Sequence, residues 1–279
     1  MGTMLVVASL VLGGCQDKDD TQNAQAGQDT SVVSETVITK AETQDFLHSL
    51  PNTLHLARMF KRTGMPYVTG LVHNTKVAQS YVDPTAQAIN LGIYSADMGY
   101  AVLHNQNQEA LKSLKAVKIL ADALQLNVLY DAGPWLGKFE RNLNNSDSVL
   151  AIMAQLQMQS DLLLRDNARY DVLYLSFAGA YAESLFLATQ LEKNHPNPAL
   201  IKRISEQQLA LGKLILLIEG LDDPERYMIL LTDMKAIQDM MLKLDVGLAE
   251  KKPEKARQMA LKELYPKVET LRKRLVAQS

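Results

Sequence analysis

Tyr227, Leu230, Met234, Ile237, Met241, Leu244 and Leu248 alternate spacings of three and four residues. That rhythm lays one continuous apolar seam along an α-helix for three heptads, and a β-strand cannot use it. Asp223 as a candidate cap and Pro224 at the first helical position mark its start. Leu261, Leu264, Val268, Leu271 and Leu275 repeat the pattern in a last helix. Pro266 should kink that helix, because its ring removes the bond to the Lys262 carbonyl. Asn197-Pro198 opens a helix running to Glu219, with Gly220 as its stop.

Helical spacing extends over most of the remaining chain. Ser146 opens one helix, and others are expected over 52–63, 66–80, 84–104, 106–125 and 168–193. Residues 127–133 break the period and read as a loop leading through Pro134 and Trp135 into a short helix. There is no alternating apolar–polar run and no hairpin dipeptide between apolar runs. The expected fold is therefore all-α: about nine helices in an antiparallel array over residues 44–279. With 47% apolar residues, the chain has ample material for one large core. Leu91-Gly92-Ile93-Tyr94 and Gly99 resemble the first helix of a tetratricopeptide repeat, but Tyr94 is one place out of register. No period of about 34 residues recurs. A weak symmetry, Ala96-Asp97 against Ala182-Glu183, leaves a repeat-like arrangement open.

The N-terminus has a different character. Met4 to Leu12 form an apolar run too short to span a bilayer, followed by Gly13, Gly14 and the only cysteine, Cys15. Leu12-Gly13-Gly14-Cys15 resembles the lipobox of bacterial lipoproteins. The resemblance implies a signal peptide over residues 1–14 and a diacylglyceryl group on the Cys15 sulfur. It also implies cleavage before Cys15 and acylation of the new amine, which together suffice for stable anchoring in membrane lipid. Residues 15–43 are polar, with almost no large apolar side chain, and are expected to be a disordered tether. A flexible coil of that length reaches about 30 Å. Gln16-Asp17-Lys18-Asp19-Asp20 resembles the Lys-plus-acid tag of surface-exposed lipoproteins, and Gln16 resembles the residue of those passed to the outer membrane. The expected location is outside the cytoplasm: the cell envelope, in the outer membrane or at the cell surface.

Chemistry-bearing residues are few. In the 84–104 helix, otherwise apolar almost all round, Asn90, Asp97 and His104 share one stripe at i, i+7 and i+14, with Tyr94 beside it. A buried aspartate must be hydrogen-bonded, paired or protonated. The stripe therefore either lines a polar ligand pocket or fixes packing. Glu183 is a second acid amid apolar residues, and if it faces Asp97, repulsion between the two would raise a pKa and let them share a proton. Tyr170, Tyr174, Phe177 and Tyr181 form an aromatic stripe that reads as core. His48, His55 and His73 read as surface or cap residues. Lys251 to Arg274 hold nine Lys or Arg against three Glu, which reads as a solvated face, or as one that touches anionic headgroups or an acidic partner.

The exclusions are broader. There is no HExxH, no phosphate loop, no dinucleotide fingerprint and no G-x-S-x-G, so neither metal, cofactor nor catalytic machinery is expected. A net charge of −2 gives no electrostatic footprint for nucleic acid. Two functional expectations follow. One is a lipid-anchored, non-enzymatic module that binds an envelope partner or scaffolds envelope components. The other is a small-ligand sensor built on Asn90, Tyr94, Asp97, His104 and Glu183.

Overall fold

The computed structural model describes residues 63–127, 129, 135–249 and 253–277. The chain divides into residues 1–40 and 41–279, and everything described belongs to the second unit. The lipobox with Cys15, the tether, His48, His55, nearly all of the 52–63 helix and most of the 127–133 loop lie outside the described residues.

Among the described residues there are nine α-helices and no strand, as the periodicity requires. They are α1 (Pro84–Leu103), α2 (Asn107–Ala123), α3 (Trp135–Asn142), α4 (Ser146–Asp166), α5 (Tyr170–Asn194), α6 (Pro198–Glu206), α7 (Gln208–Glu219), α8 (Met228–Ala249) and α9 (Pro253–Ala277). α1 begins on Pro84, and the side chain of Asp83 caps it by accepting from Ala86 N at 3.0 Å. α1 and α5 are buried nearly all round and form the centre. α5 is long and apolar enough to cross a membrane, yet 89% of its apolar window is buried inside the protein. That burial is what a central helix of a helical array requires.

The two central helices touch backbone to backbone. A Cβ at Gly92 would overlap the Ser176 carbonyl oxygen, and one at Gly179 would overlap the Ile89 carbonyl oxygen. Only glycine permits this approach at both positions. The two glycine contacts mark the crossing itself, and from Gly92–Ser176 to Asp97–Glu183 residue numbers rise on both helices, so α1 and α5 run in the same direction. α9 runs opposite to α5, with Gln190 meeting Glu269 and Glu183 meeting Arg272.

Three helix ends close by one device. Gln106 N donates to Ala101 O, Leu126 N to Ala121 O and Arg169 N to Leu164 O, at 2.8–2.9 Å. Each turn contains one left-handed residue: Asn105 (φ 56°), Gln125 (φ 61°) and Ala168 (φ 53°). This is the Schellman arrangement, built without its usual glycine.

Several sequence expectations need correction. Residues 66–80 are not one helix: the chain is irregular from Met65 to Asn74, turning at Gly70 (φ +84°), and only Thr75–Ser80 form a 3-10 helix. This segment gives its backbone hydrogen bonds to side chains of α1 instead of to itself. The 198–219 helix is split at Gln207, whose N–H bonds Ile204 O in tightened geometry while its carbonyl accepts from Tyr181 Oη at 3.1 Å. Pro224–Tyr227 form a 3-10 turn before α8, and Asp223 makes no side-chain cap. Pro266 lies inside α9, as expected, and Thr270 Oγ1 donates to its carbonyl at 2.7 Å.

Candidate functional site

The segment 65–83, irregular except for the 3-10 helix Thr75–Ser80, lies as a strap along the polar stripe of α1. Val68 N donates to Tyr100 Oη (2.9 Å), His73 N to Asp97 Oδ2 (2.8 Å), and Tyr94 Oη to Asn74 O (2.9 Å). Gln87 Nε2 donates to Tyr81 O at 2.9 Å. As the strap advances, its partners on α1 move back toward the N-terminus, so the two run antiparallel. Outside its one short 3-10 helix, the strap has obligatory backbone groups to satisfy. The stripe supplies those partners, which explains why Tyr94 and Asp97 sit on a helix that is otherwise apolar.

His73 closes the strap over the stripe. Its ring stacks on Tyr94 with centroids 5.1 Å apart, and its Nε2 lies 2.7 Å from Tyr81 Oη. Tyr81 gives its only proton to Val276 O of α9 at 3.0 Å. The short contact therefore requires His73 to donate from Nε2. Burial, then the nearby Arg272 charge, lowers the His73 pKa to about 4, which favours the neutral ring.

Beneath the strap, Asp97 and Glu183 are both 0% exposed and lie within hydrogen-bonding reach of one another. Arg272 of α9 grips Glu183 with two bonds, Nε to Oε2 at 3.0 Å and a terminal nitrogen to Oε1 at 3.3 Å. The guanidinium also lies over the Phe186 ring, 4.8 Å from its centroid. Two carboxyls thus share one cation. Asp97 Oδ1 has no donor, while Oδ2 accepts from the strap. A proton on Asp97, given to Glu183, satisfies both acids. Burial raises the Asp97 pKa well above the usual carboxylate range and the Glu183 charge adds to it, against the His73 N–H and Arg272. Burial raises Glu183 too, but Arg272 and the Asp97 bond oppose it. Asp97 is therefore the acid that keeps the proton.

Asn90, Tyr94, Asp97 and Glu183 thus gather under the strap and against α9, where Asn90 Nδ2 donates to Leu275 O at 3.1 Å. His104 stands apart at the far end of the stripe. It packs edge-on against Tyr100 (4.8 Å) and near Tyr67 (5.7 Å), and burial lowers its pKa. Cys15 lies outside the described residues.

Sequence reasoning missed His73, Tyr81 and Arg272. His73 was expected at the surface or at a helix cap and instead sits in the network. Arg272 was one charge in a basic run expected to face solvent. In fact three cations of that run neutralise buried acids, since Lys267 and Arg274 bind Asp233 of α8 at 2.7 and 2.5 Å. No local signal marks Arg272, because its partner is 89 residues away.

No His, Cys, Asp or Glu cluster among the described residues has a metal-binding arrangement. Two further spaces among the described residues lie away from the stripe. One is a cavity of about 60 Å³ on the other side of α1. The second is a surface groove of about 390 Å³ between α9 and the α5–α6 junction. The arrangement around Asp97 can hold a proton, fix the strap and join three helices. The chain matches no protein-family model, no curated protein and no solved structure.

Proposed function

We propose that this chain is a bacterial lipoprotein whose helical domain, anchored through Cys15 outside the cytoplasm, binds a protein partner in the cell envelope rather than transforming a small molecule. The observation that carries the reading is the string Leu12-Gly13-Gly14-Cys15 followed by a 28-residue stretch, 16–43, that is mostly polar. The polar stripe supports the second half. Tyr94, Asp97 and Glu183 direct their polar atoms to the strap, to each other and to Arg272, and Tyr94 and Asp97 are fully buried. Meanwhile apolar side chains stand in solvent: Met158 (54% exposed) and Leu162 (50%) sit one turn apart on α4, and Leu136 of α3 is 48% exposed. Apolar surface of this kind suits a protein partner when it is contiguous.

The test is mass spectrometry on the full-length chain expressed in a Gram-negative host. The expected N-terminal peptide begins at Cys15, with a thioether-linked diacylglycerol and an acylated amine. Cys15→Ser should move the protein from the detergent phase to the aqueous phase. A bare Cys15 thiol with residues 1–14 still attached would end the proposal. The partner half is tested by photo-crosslinking from position 158 in cells. A discrete adduct that Leu162→Gln abolishes supports it, and a pattern that the substitution leaves unchanged counts against it.

A further inference from the structure

α9 carries two kinds of cation. Lys267, Arg272 and Arg274 are bound to the buried acids Asp233 and Glu183. Lys255, Lys262 and Lys273 are exposed, and none of them forms an ion pair with a described residue. They stand at i, i+7 and i+18, which is close to two turns and then five, so they share one stripe about 27 Å long. The positions that usually neutralise such a stripe hold no acid over its first half. Residues three and four places from Lys262 are Gln258, Met259, Tyr265 and Pro266, and Gln258 and Met259 also follow Lys255 at that spacing. Glu269, one turn before Lys273, accepts from Gln190 at 2.7 Å and Lys193 at 3.2 Å. Glu263, beside the stripe, faces Lys243 at 3.8 Å. Met259, 61% exposed, projects on the same side between Lys255 and Lys262.

The stripe lies where the N-terminal chain enters the helical domain. Asn197 Nδ2 donates to Thr63 O at 3.2 Å. Asn197 and Lys262 both line the surface groove between α9 and the α5–α6 junction. The chain that leads back from Thr63 through residues 44–62 and 16–43 to Cys15 therefore meets the domain at the edge of the lysine face. A tether with a reach of about 30 Å keeps that edge within range of the bilayer that holds the anchor. At so high a local concentration, a contact of modest affinity is enough.

We infer that the lysine stripe of α9 docks the domain on a bilayer surface that bears anionic phosphate headgroups. The inference rests on the lipid-anchor reading for its choice of a membrane as the acidic surface. Each lysine extends its ammonium on a flexible apolar stem to a headgroup phosphate, and Met259 enters the boundary between headgroups and acyl chains. Near an anionic surface one lysine strengthens binding about fivefold, so three together give about a hundredfold. A zwitterionic surface offers no net charge and gains none of this. The contact leaves the buried pairs of Arg272, Lys267 and Arg274 in place, because those cations already hold their acids.

The probes are phosphatidylcholine vesicles with and without about one-third phosphatidylglycerol. The protein is the full-length chain carrying Cys15→Ser, which removes the acyl anchor so that co-sedimentation reports the protein surface. Residues 1–14, where retained, add equally to both vesicles, so the readout is the ratio of the two association constants. At low ionic strength that ratio should be on the order of a hundred. In about 0.5 M sodium chloride it should fall toward unity. Lys262→Gln alone should lower it about fivefold. Lys255→Gln, Lys262→Gln and Lys273→Gln together should abolish it. Lys76→Gln, Lys112→Gln and Lys115→Gln, exposed positions off α9 with the same change in net charge, should keep it. All six side chains are exposed, so both triple variants should unfold at the parent temperature. Equal binding to the two vesicles, a ratio that the α9 triple variant leaves unchanged, or an equal loss in the control variant would each overturn the inference. Soluble polyglutamate binding the stripe more tightly than the phosphatidylglycerol vesicles would assign it to an acidic protein instead. Because this chain carries no anchor, a bare Cys15 thiol in the mass spectra would sink the anchor and leave these readings intact.

Discussion

α9 neutralises two buried acidic sites with opposite stoichiometry. At Glu183, two fully buried carboxyls share Arg272, which is itself only 15% exposed. At Asp233, one carboxyl takes two cations, Lys267 and Arg274, the latter 51% exposed. The first site lacks positive charge and must hold a proton; the second has positive charge in excess. The same helix therefore makes one contact that cannot lose its arginine and another that can. A count of charged residues along α9 does not distinguish the two, because what matters is how many acids each cation faces and how dry the site is.

The largest effect should come from Arg272→Met. Removing the guanidinium strands Glu183 beside Asp97 and should cost about 3 kcal/mol, read as a lower urea midpoint. Adding Glu183→Met should recover most of it, since an apolar replacement needs no counterion. If Arg272→Met alone is neutral, the charge contrast fails.

Gly92→Ala tests whether the α1–α5 crossing, more than the charges, sets the acids side by side. The added methyl would meet the Ser176 carbonyl oxygen and the Ala180 nitrogen, backbone atoms that cannot swing aside. A loss of about 2–3 kcal/mol is expected in the same denaturation assay. A well-folded, equally stable variant would show that the crossing tolerates separation.

The proton held at Asp97 has a signature in pH. Because the folded-state pKa of Asp97 is raised, its contribution is complete below the unfolded value of 3.8 and is lost as pH rises toward the folded value. Glu183 shifts in the same direction. His73 works the other way: with a folded pKa of about 4 against 6.5, it makes stability rise with pH across that interval. The two effects oppose each other between about pH 4 and 6.5. Asp97→Asn keeps the strap bond and can donate to Glu183, so its stability should gain on the wild type as pH rises, by at most about 1.4 kcal/mol per pH unit. His73→Gln should lose ground over the same interval. Parallel stability–pH curves for wild type and Asp97→Asn would show that no proton is held there.

The smallest effect should be that of Arg274→Ala. Asp233 retains Lys267, and half of the Arg274 side chain is in water, so the loss should stay below about 1 kcal/mol. A loss as large as that of Arg272→Met would erase the difference between the sites.

The helices of this protein were legible because burying one face imposes a period on neighbouring residues. The seam from Tyr227 to Leu248 and the caps at Asn197-Pro198 are local facts. The turns at Gln125 and Ala168 were not legible, because neither is the glycine that a left-handed residue favours. The strap was misread as a helix for a related reason. Its backbone partners, Tyr100, Asp97 and Tyr94, are 20 to 32 residues away, and no local pattern reports them. Of the candidate site, the stripe on α1 and the acid on α5 were visible as polar residues in apolar helices, a conflict that must be resolved somewhere.

The sequence by itself determined the all-α class, the central helices and the acids that needed partners, since burial of a helix face and of a carboxyl both follow from short-range spacing. Only the tertiary structure decided that Asp97 faces Glu183, that Arg272 serves both, and that the stripe holds a strap. Those pairings join residues 20 or more positions apart through helix packing, and packing depends on shape at two small glycines as much as on chemistry.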